Sequence, residues 1–430
     1  MAGGAGSARP PARRAWSFGF SRAARAAAGW QLAACGAMHV VNDALFAGLY
    51  PLLPLMAVDL GLTYAQVGLI KMAFSGSSSL FQVPAGMAAE RFGEHGLLAL
   101  GTAWSGLGLA GMALATGFGS LLAISVVAGV GGNAQHPVAT SIVSRLFDDR
   151  RRGTAIGTLN FAGDIGKVLA PVAVGLVALG AGWRGAAVVM GAAGALFALL
   201  YGLAVPPPGR LGTATPPREG AAPLQSPAHG PPPPSGAPGA ARGRWGIRQP
   251  GRFAALIAIG VLDSAARGAS LTFIPFLLET KGLDAAAVSL AFAVLFGAGA
   301  AGKFICGPLA DRYGNVVTVV VTELVTAAAL LGCLAAPAGW VIAALVPLGF
   351  VLNGTSSVLY AAVAGLVDVG KRARGYGVYY TCSQLAAAVA PVLYGLLADR
   401  AGLPATFACM AAMTAAIAPL AIAGSGRVRG

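Results

Sequence analysis

Gly307-Pro308-Leu309-Ala310-Asp311-Arg312-Tyr313-Gly314 has a counterpart 221 residues earlier, Gly86-Met87-Ala88-Ala89-Glu90-Arg91-Phe92-Gly93, with glycine, acid, arginine, aromatic and glycine in the same places. The register holds outward from both stretches. At this offset Pro54 meets Pro275, Gly61-Leu62 meets Gly282-Leu283, and Gly76 meets Gly297. One residue less aligns Asp43 with Asp263, Gly129 with Gly349, Asn133 with Asn353, Arg152 with Arg372 and Pro171 with Pro391. Chance similarity of Gly/Ala-rich text would not keep Asn, Asp and Arg in step, so residues 30–205 and 250–425 are two copies of one unit. Each copy holds six apolar runs long enough to cross a bilayer. A direct repeat of an even number of spans keeps its orientation, the pattern of a solute transporter built from two parallel six-helix halves.

Composition agrees with that reading. The chain has 430 residues, is 56% hydrophobic and only 10% charged, and its mean hydropathy is +0.73, which excludes a water-soluble globule. Spans are expected near 31–55, 66–89, 96–116, 119–145, 153–178, 184–204, 253–277, 286–309, 316–336, 339–366, 375–398 and 403–423. The sixty-three glycines suit helices that approach closely where lipid supplies no hydrophobic drive.

The net charge of +14 is a topology signal rather than a nucleic-acid footprint. Of the 29 Lys and Arg, 22 fall in the termini and the even-numbered loops, and only Arg184, Lys281 and Arg400 in the opposite loops. The positive-inside rule then places both termini in the cytoplasm of a multi-pass plasma-membrane protein, in bacteria the inner membrane. Five cysteines lie in or beside apolar spans without metal-ligand spacing, so neither disulfide nor metal site is expected. Thirteen of the 27 prolines lie between Pro206 and Pro250. The expected division is a disordered tail over 1–29, a first bundle over 30–205, a disordered cytoplasmic linker over 206–250, a second bundle over 251–425 and a tail over 426–430.

Physically, the two quoted turns are tight connections whose acids, Glu90 and Asp311, can pair with a helix N-terminus or with Arg152 or Arg374. A pairing made in one state and broken in another would latch a gate formed by Gly86, Glu90, Arg91 and Gly93 with Gly307, Asp311, Arg312 and Gly314. These turns resemble the loop signature of the major facilitator superfamily. The resemblance covers the chain outside its tails and linker, and it implies an all-α membrane protein of twelve transmembrane helices in two pseudo-symmetric six-helix bundles. His39-Val40-Val41-Asn42-Asp43 and Gly131-Gly132-Asn133-Ala134-Gln135-His136-Pro137 resemble the fosmidomycin-resistance branch, whose members export drugs. The sequence departs from these patterns at Glu90, where aspartate is usual, at Glu94-His95, where basic residues are usual, and at Val138, where glutamate commonly follows His-Pro.

A charge at mid-helix costs roughly 2.5 to 3.5 kcal/mol on insertion scales, so each one should face water and have a partner. Asp43, Asp164, Asp263 and Glu323 stand against Lys71, Lys167, Arg267 and Lys303. Helical spacing gathers His39, Asn42, Asp43, Phe46 and Tyr50 on one stripe. A second stripe holds Lys71, Ser75, Ser78, Ser79 and Gln82, and a third Asn133, His136, Thr140 and Ser144. Together with Asn353 and Gln384, these polar residues are expected to line a substrate cavity at mid-membrane. Asp164–Lys167 and Asp263–Arg267 are spaced to pair locally, either as struts or as proton-released switches. Asp43 has no base in reach on its own helix and is the favoured proton carrier, with Lys71 or Lys167 as cross-helix partners, Asp164 and Asp263 as further candidates and Glu323 read as structural. His136 either bonds a carbonyl freed by Pro137 or handles substrate or protons.

No nucleotide-binding loop is present, so no cofactor and no enzymatic activity are expected. The expectation is a monomeric, proton-coupled secondary transporter that moves a small organic solute by alternating access. Export of a drug or metabolite follows from the resemblance, uptake of an organic anion fits the four intramembrane cations, and a non-transporting receptor or scaffold is a third reading.

Overall fold

The computed structural model describes residues 22–147, 149–206, 246–368 and 372–424. The expected tails and most of the expected linker lie outside the described residues. The described chain is helical: α1 (Arg22–Ala47), α2 (Leu49–Leu60), α3 (Tyr64–Leu80), α4 (Gln82–Phe92), α5 (Glu94–Gly111), α6 (Phe118–Gly129), α7 (Gln135–Leu146), α8 (Asp149–Ala204), α9 (Pro250–Thr280), α10 (Ala285–Tyr313), α11 (Asn315–Ala335), α12 (Ala338–Leu366), α13 (Arg372–Ala415) and α14 (Ile417–Gly424).

These fourteen helices make the twelve expected crossings. Crossing 1 is α1 with α2, crossing 2 is α3 with α4, and crossing 4 is α6 with α7, joined by a 3-10 turn over Val130–Ala134. The apolar stretches Arg151–Ala204, within α8, and Gly375–Gly424, through α13 and α14, run 54 and 50 residues. At 1.5 Å per residue each is more than twice the ~30 Å hydrocarbon thickness. Each turns back at a glycine, Gly182 at φ 64° and Gly402 at φ 80°. That region of φ disfavours any residue with a Cβ, and these glycines occupy the same place in the two repeats.

The repeat is visible in the packing. A Cβ added at Gly129 would overlap the carbonyl of Phe74, and one at Gly349 would overlap the carbonyl of Leu295. Both residues of the second pair lie one repeat after those of the first. Close backbone approach therefore fixes crossing 4 against crossing 2 in one half and crossing 10 against crossing 8 in the other. The second crossings also start alike. Thr63 caps α3 in a capping box with Gln66, and Asp284 caps α10 by accepting from Ala287 N–H at 2.8 Å.

The apolar core is continuous at one end of the molecule and divided at the other. Away from the linker, residues of both halves, including Leu52, Phe74, Val174, Phe273, Phe292, Leu348 and Phe407, belong to one buried cluster. At the linker end each half has its own, around Met38, Ile142 and Tyr201 in the first and Phe253, Val363 and Tyr379 in the second. The closed end is also clasped by polar contacts. Tyr64 N–H and Ala65 N–H, at the start of α3, donate to the Asp399 carboxylate at 2.8 and 3.0 Å, an anion seated on a helix N-terminus of the other half. The halves therefore meet away from the linker and part toward it.

Candidate functional site

Between the halves lies a cavity of ≈ 240 Å³. Of the residues expected to line it, Asn42, Asp43, Lys71, Ser75, His136, Lys167, Asn353 and Gln384 do so, with Phe46, Tyr50, Ser78 and Ser79 from the same stripes. Leu271 and Phe296 of the second half complete the wall. They are two apolar residues among many in α9 and α10, and no sequence signal singles them out. The side chains of Gln82, Gly86, Glu90, Asn133 and Arg374 lie outside the described ones.

One face of α8 organises the charges. Gly163 has no side chain because Asp43 and His39 of α1 occupy the space, and Gly166 rests against the Val40 backbone. With α1 drawn this close, Lys167 Nζ lies 3.1 Å from Asp43 Oδ2 and 3.1 Å from Asp164 Oδ1. Asp164 also accepts from Lys303 Nζ of α10 at 2.6 and 2.8 Å, which carries the chain into the other half. His39 Nε2 and His136 Nε2 lie 3.5 and 3.7 Å from the second Asp43 oxygen, and their rings meet edge to face. The 3-10 turn before His136 owes its fit to Gly132, whose Cβ would overlap the Phe46 ring.

The expected local pairs Asp164–Lys167 and Asp263–Arg267 are formed, the latter at 3.4 Å. The expectation that Asp43 has no base in reach on its own helix is corrected, since His39 lies one turn away; of its two possible cross-helix partners, Lys167 is the one that pairs with it. Lys303 and Arg267 do not line the cavity wall; Lys303 works through Asp164, and Arg267 belongs to a separate group with Asp263. Lys71 differs from the other three cations. It donates to Ser75 Oγ and lies 4.9 Å over the Tyr50 ring, and among the described residues it has no carboxylate partner. The cavity cluster thus sets Lys71, Lys167 and Lys303 against Asp43 and Asp164, a surplus of one positive charge.

At the linker end, Asp311 is exposed and forms no ion pair among the described residues, while Arg91 and Arg312 lie against Phe92 and Tyr313. Arg152 Nε donates to Ser144 O at 3.0 Å. Gly93 and Gly314 take φ 92° and 87°, as tight turns require. The first turn has a brace that sequence reasoning missed, because Glu94 pairs with Arg145 and accepts from Ser141 Oγ at 2.6 Å. The clustering of His39, His136 and Asp43 places three metal-type ligand atoms within 4.8 Å of one another. Lys167 beside the same carboxylate already supplies the cation there.

Among known proteins, residues 35–252 and 256–425 match the family model of the Major Facilitator Superfamily. The fosmidomycin resistance protein of Escherichia coli (strain K12) is 29% identical over 146 residues, 34% of this chain and 36% of that protein. A probable sulfoacetate transporter, SauU, of Cupriavidus necator is 33% identical over 153 residues, 34% of each chain. Each of these matches spans about a third of the relative's length. In fold, a bacterial homolog of the human lysosomal transporter Spinster, solved inward-facing and occupied, superposes with a TM-score of 0.75 at 18% identity, covering 94% of this chain and 97% of that one. The family model, the duplicated six-helix unit and the shared fold agree: this chain belongs to the Major Facilitator Superfamily.

Proposed function

We propose that the chain, a membrane transporter of an organic solute, carries a small organic anion together with a proton. The observation that carries this reading is the surplus cation, Lys71, buried in the cavity wall without a carboxylate partner among the described residues. An uncompensated ammonium away from bulk water favours an anionic guest. An anion that reaches Lys71 and Lys167 competes with Asp43 for the Lys167 ammonium. Asp43, released from its base, becomes easier to protonate, and His39 and His136 beside it can relay the proton. Anion and proton then assist each other's binding, which couples them in the same direction. The likeness to a sulfoacetate transporter supports an anionic solute.

The parting of the two halves toward the linker supports access to the cavity from that end, and the distribution of Lys and Arg supports a cytoplasmic position for it in the bacterial inner membrane, with both termini on that side. Rocking of the halves about the Asp164–Lys303 contact would close this mouth and open the Asp399 clasp, with the turns at Glu90 and Asp311 as latches. The protein would work as a monomer, since each chain holds both halves and the whole cavity. Export is the second reading, supported by the likeness to a resistance protein. Export by proton exchange needs solute and proton to exclude each other, as a cationic or neutral solute competing at Asp43 would.

Proteoliposomes with an imposed pH gradient decide between the two. With sulfoacetate and a panel of small carboxylates and sulfonates as probes, symport moves the solute down the proton gradient. Movement against the proton gradient would replace this reading with exchange, and no transport of any anion in the panel would remove it.

A further inference from the structure

The second half contains an acid–base group that the cavity does not use. Asp263 on α9 and Glu323 on α11 are both buried, 4% and 1% exposed, and their carboxyls lie within hydrogen-bond reach of each other. Arg267 Nη2 is 3.4 Å from Asp263 Oδ2 and 3.1 Å from Ser264 Oγ. Among the described residues it is the one base paired with either acid. Tyr360 of α12 and Tyr379 and Tyr380 of α13 lie near the guanidinium. Among the described side chains, these helices bring no further charged group to the cluster. Glu323 Oε1 is buried and accepts no hydrogen bond from any N–H or other ordinary donor among the described residues.

Two oxygens can share a hydrogen bond only if one of them carries a proton. Two ionised carboxylates in contact, opposed by one guanidinium inside a bilayer, would leave an uncompensated charge buried. We propose that Asp263 and Glu323 form a proton-binding site in the second half, one proton shared between the two carboxyls beside Arg267. The site is the pseudo-symmetric answer to Asp43. The same position of the repeat meets two histidines and a lysine in the first half, and an arginine and a second acid in the other. Loading transfers one proton from water to a carboxylate oxygen, and unloading returns it, leaving two carboxylates against the single charge of Arg267 and a net charge of −1 on the cluster. Access runs past the guanidinium, whose side chain is 18% exposed, and Tyr380, which is 42% exposed. The first cluster carries a surplus cation and this one a surplus acid. The proposal extends the coupled-anion reading but stands apart from it, because its test needs no solute.

Infrared spectroscopy of the purified full-length protein, in H₂O and D₂O at neutral pH, reads protonated carboxyls directly. Carboxyls exposed to solvent are ionised there. The wild type should show a carboxylic C=O band that is lost in Glu323→Gln and in Asp263→Asn, since each leaves a single carboxylate for Arg267, and kept in Asp43→Asn. Absence of the band in the wild type would overturn the proposal even if neither variant folds. A band that persists in both folded variants would overturn it equally. Raising the pH should remove the wild-type band reversibly, and a band fixed up to the unfolding limit would show a trapped proton rather than a binding site.

Discussion

Replacing Lys71 by glutamine removes the surplus cation while leaving no acid stranded. Lys71 is bonded to Ser75 and lies over Tyr50, whereas Lys167 holds both Asp43 and Asp164. Glutamine can still reach Ser75, so folding should be nearly unchanged. An anionic group about 4 Å from the ammonium gains about 4 kcal/mol at an effective dielectric of 20. The guest gives up hydration to enter, so roughly 1 to 3 kcal/mol should survive as net affinity. At 1.4 kcal/mol per factor of ten, that is about a 5- to 150-fold rise in the dissociation constant. The assay is competition binding or thermal-shift titration of the purified protein with an anion found active in the transport panel, beside a neutral analogue of the same shape. Lys71→Gln should weaken the anion by that factor and leave the analogue within about twofold, and Lys71→Arg should recover part of the loss. Equal weakening of both compounds would mean that Lys71 shapes the cavity rather than its charge. Unchanged anion affinity would remove the basis for an anionic solute altogether.

Asp43→Asn keeps the hydrogen-bonding shape but cannot be protonated; solute exchange between equal pH compartments should survive at least in part while accumulation driven by a pH gradient is lost, and full gradient-driven accumulation would exclude Asp43 from coupling. Asp311→Asn should weaken the state closed at the linker end by about 1 to 3 kcal/mol if the turn is a latch, raising labelling of cysteines placed in the linker-side half of the cavity and lowering it on the far side; loss of folded protein without a change in labelling would make the turn structural. Gly349→Val should lower the unfolding temperature in mild detergent, because a side chain there meets the Leu295 backbone, and overpacking of this kind typically costs about 1 to 3 kcal/mol. The equivalent Gly129→Val should behave alike, and an unchanged unfolding temperature in both would contradict the close approach of these crossings.

What the sequence determined by itself was the duplicated twelve-span framework. Apolar run length, the Gly-acid-Arg-aromatic-Gly turns and the glycines at repeat positions are local, and the bilayer admits few ways to satisfy a helical backbone. The polar stripes that line the cavity were legible for the same reason, since spacing along one helix fixes which residues share a face. The pairs Asp164–Lys167 and Asp263–Arg267 could be read because three or four residues separate them. Contacts between distant residues could not. Lys303 reaches Asp164 across 139 residues, and Asp399 reaches Tyr64 across 335. Nothing local distinguishes those partners from Lys71 or from the other acids. The tertiary structure decided that Asp43 sits between two histidines and a lysine, that Lys71 has no carboxylate partner among the described residues, and that Glu323 lies against Asp263. Glycines at 163 and 166 bring α1 onto α8, and α11 packs where its one acid meets Asp263 of α9. Helix periodicity settles which face a charge occupies, but the charge it meets depends on how two helices are rotated and how closely their backbones approach.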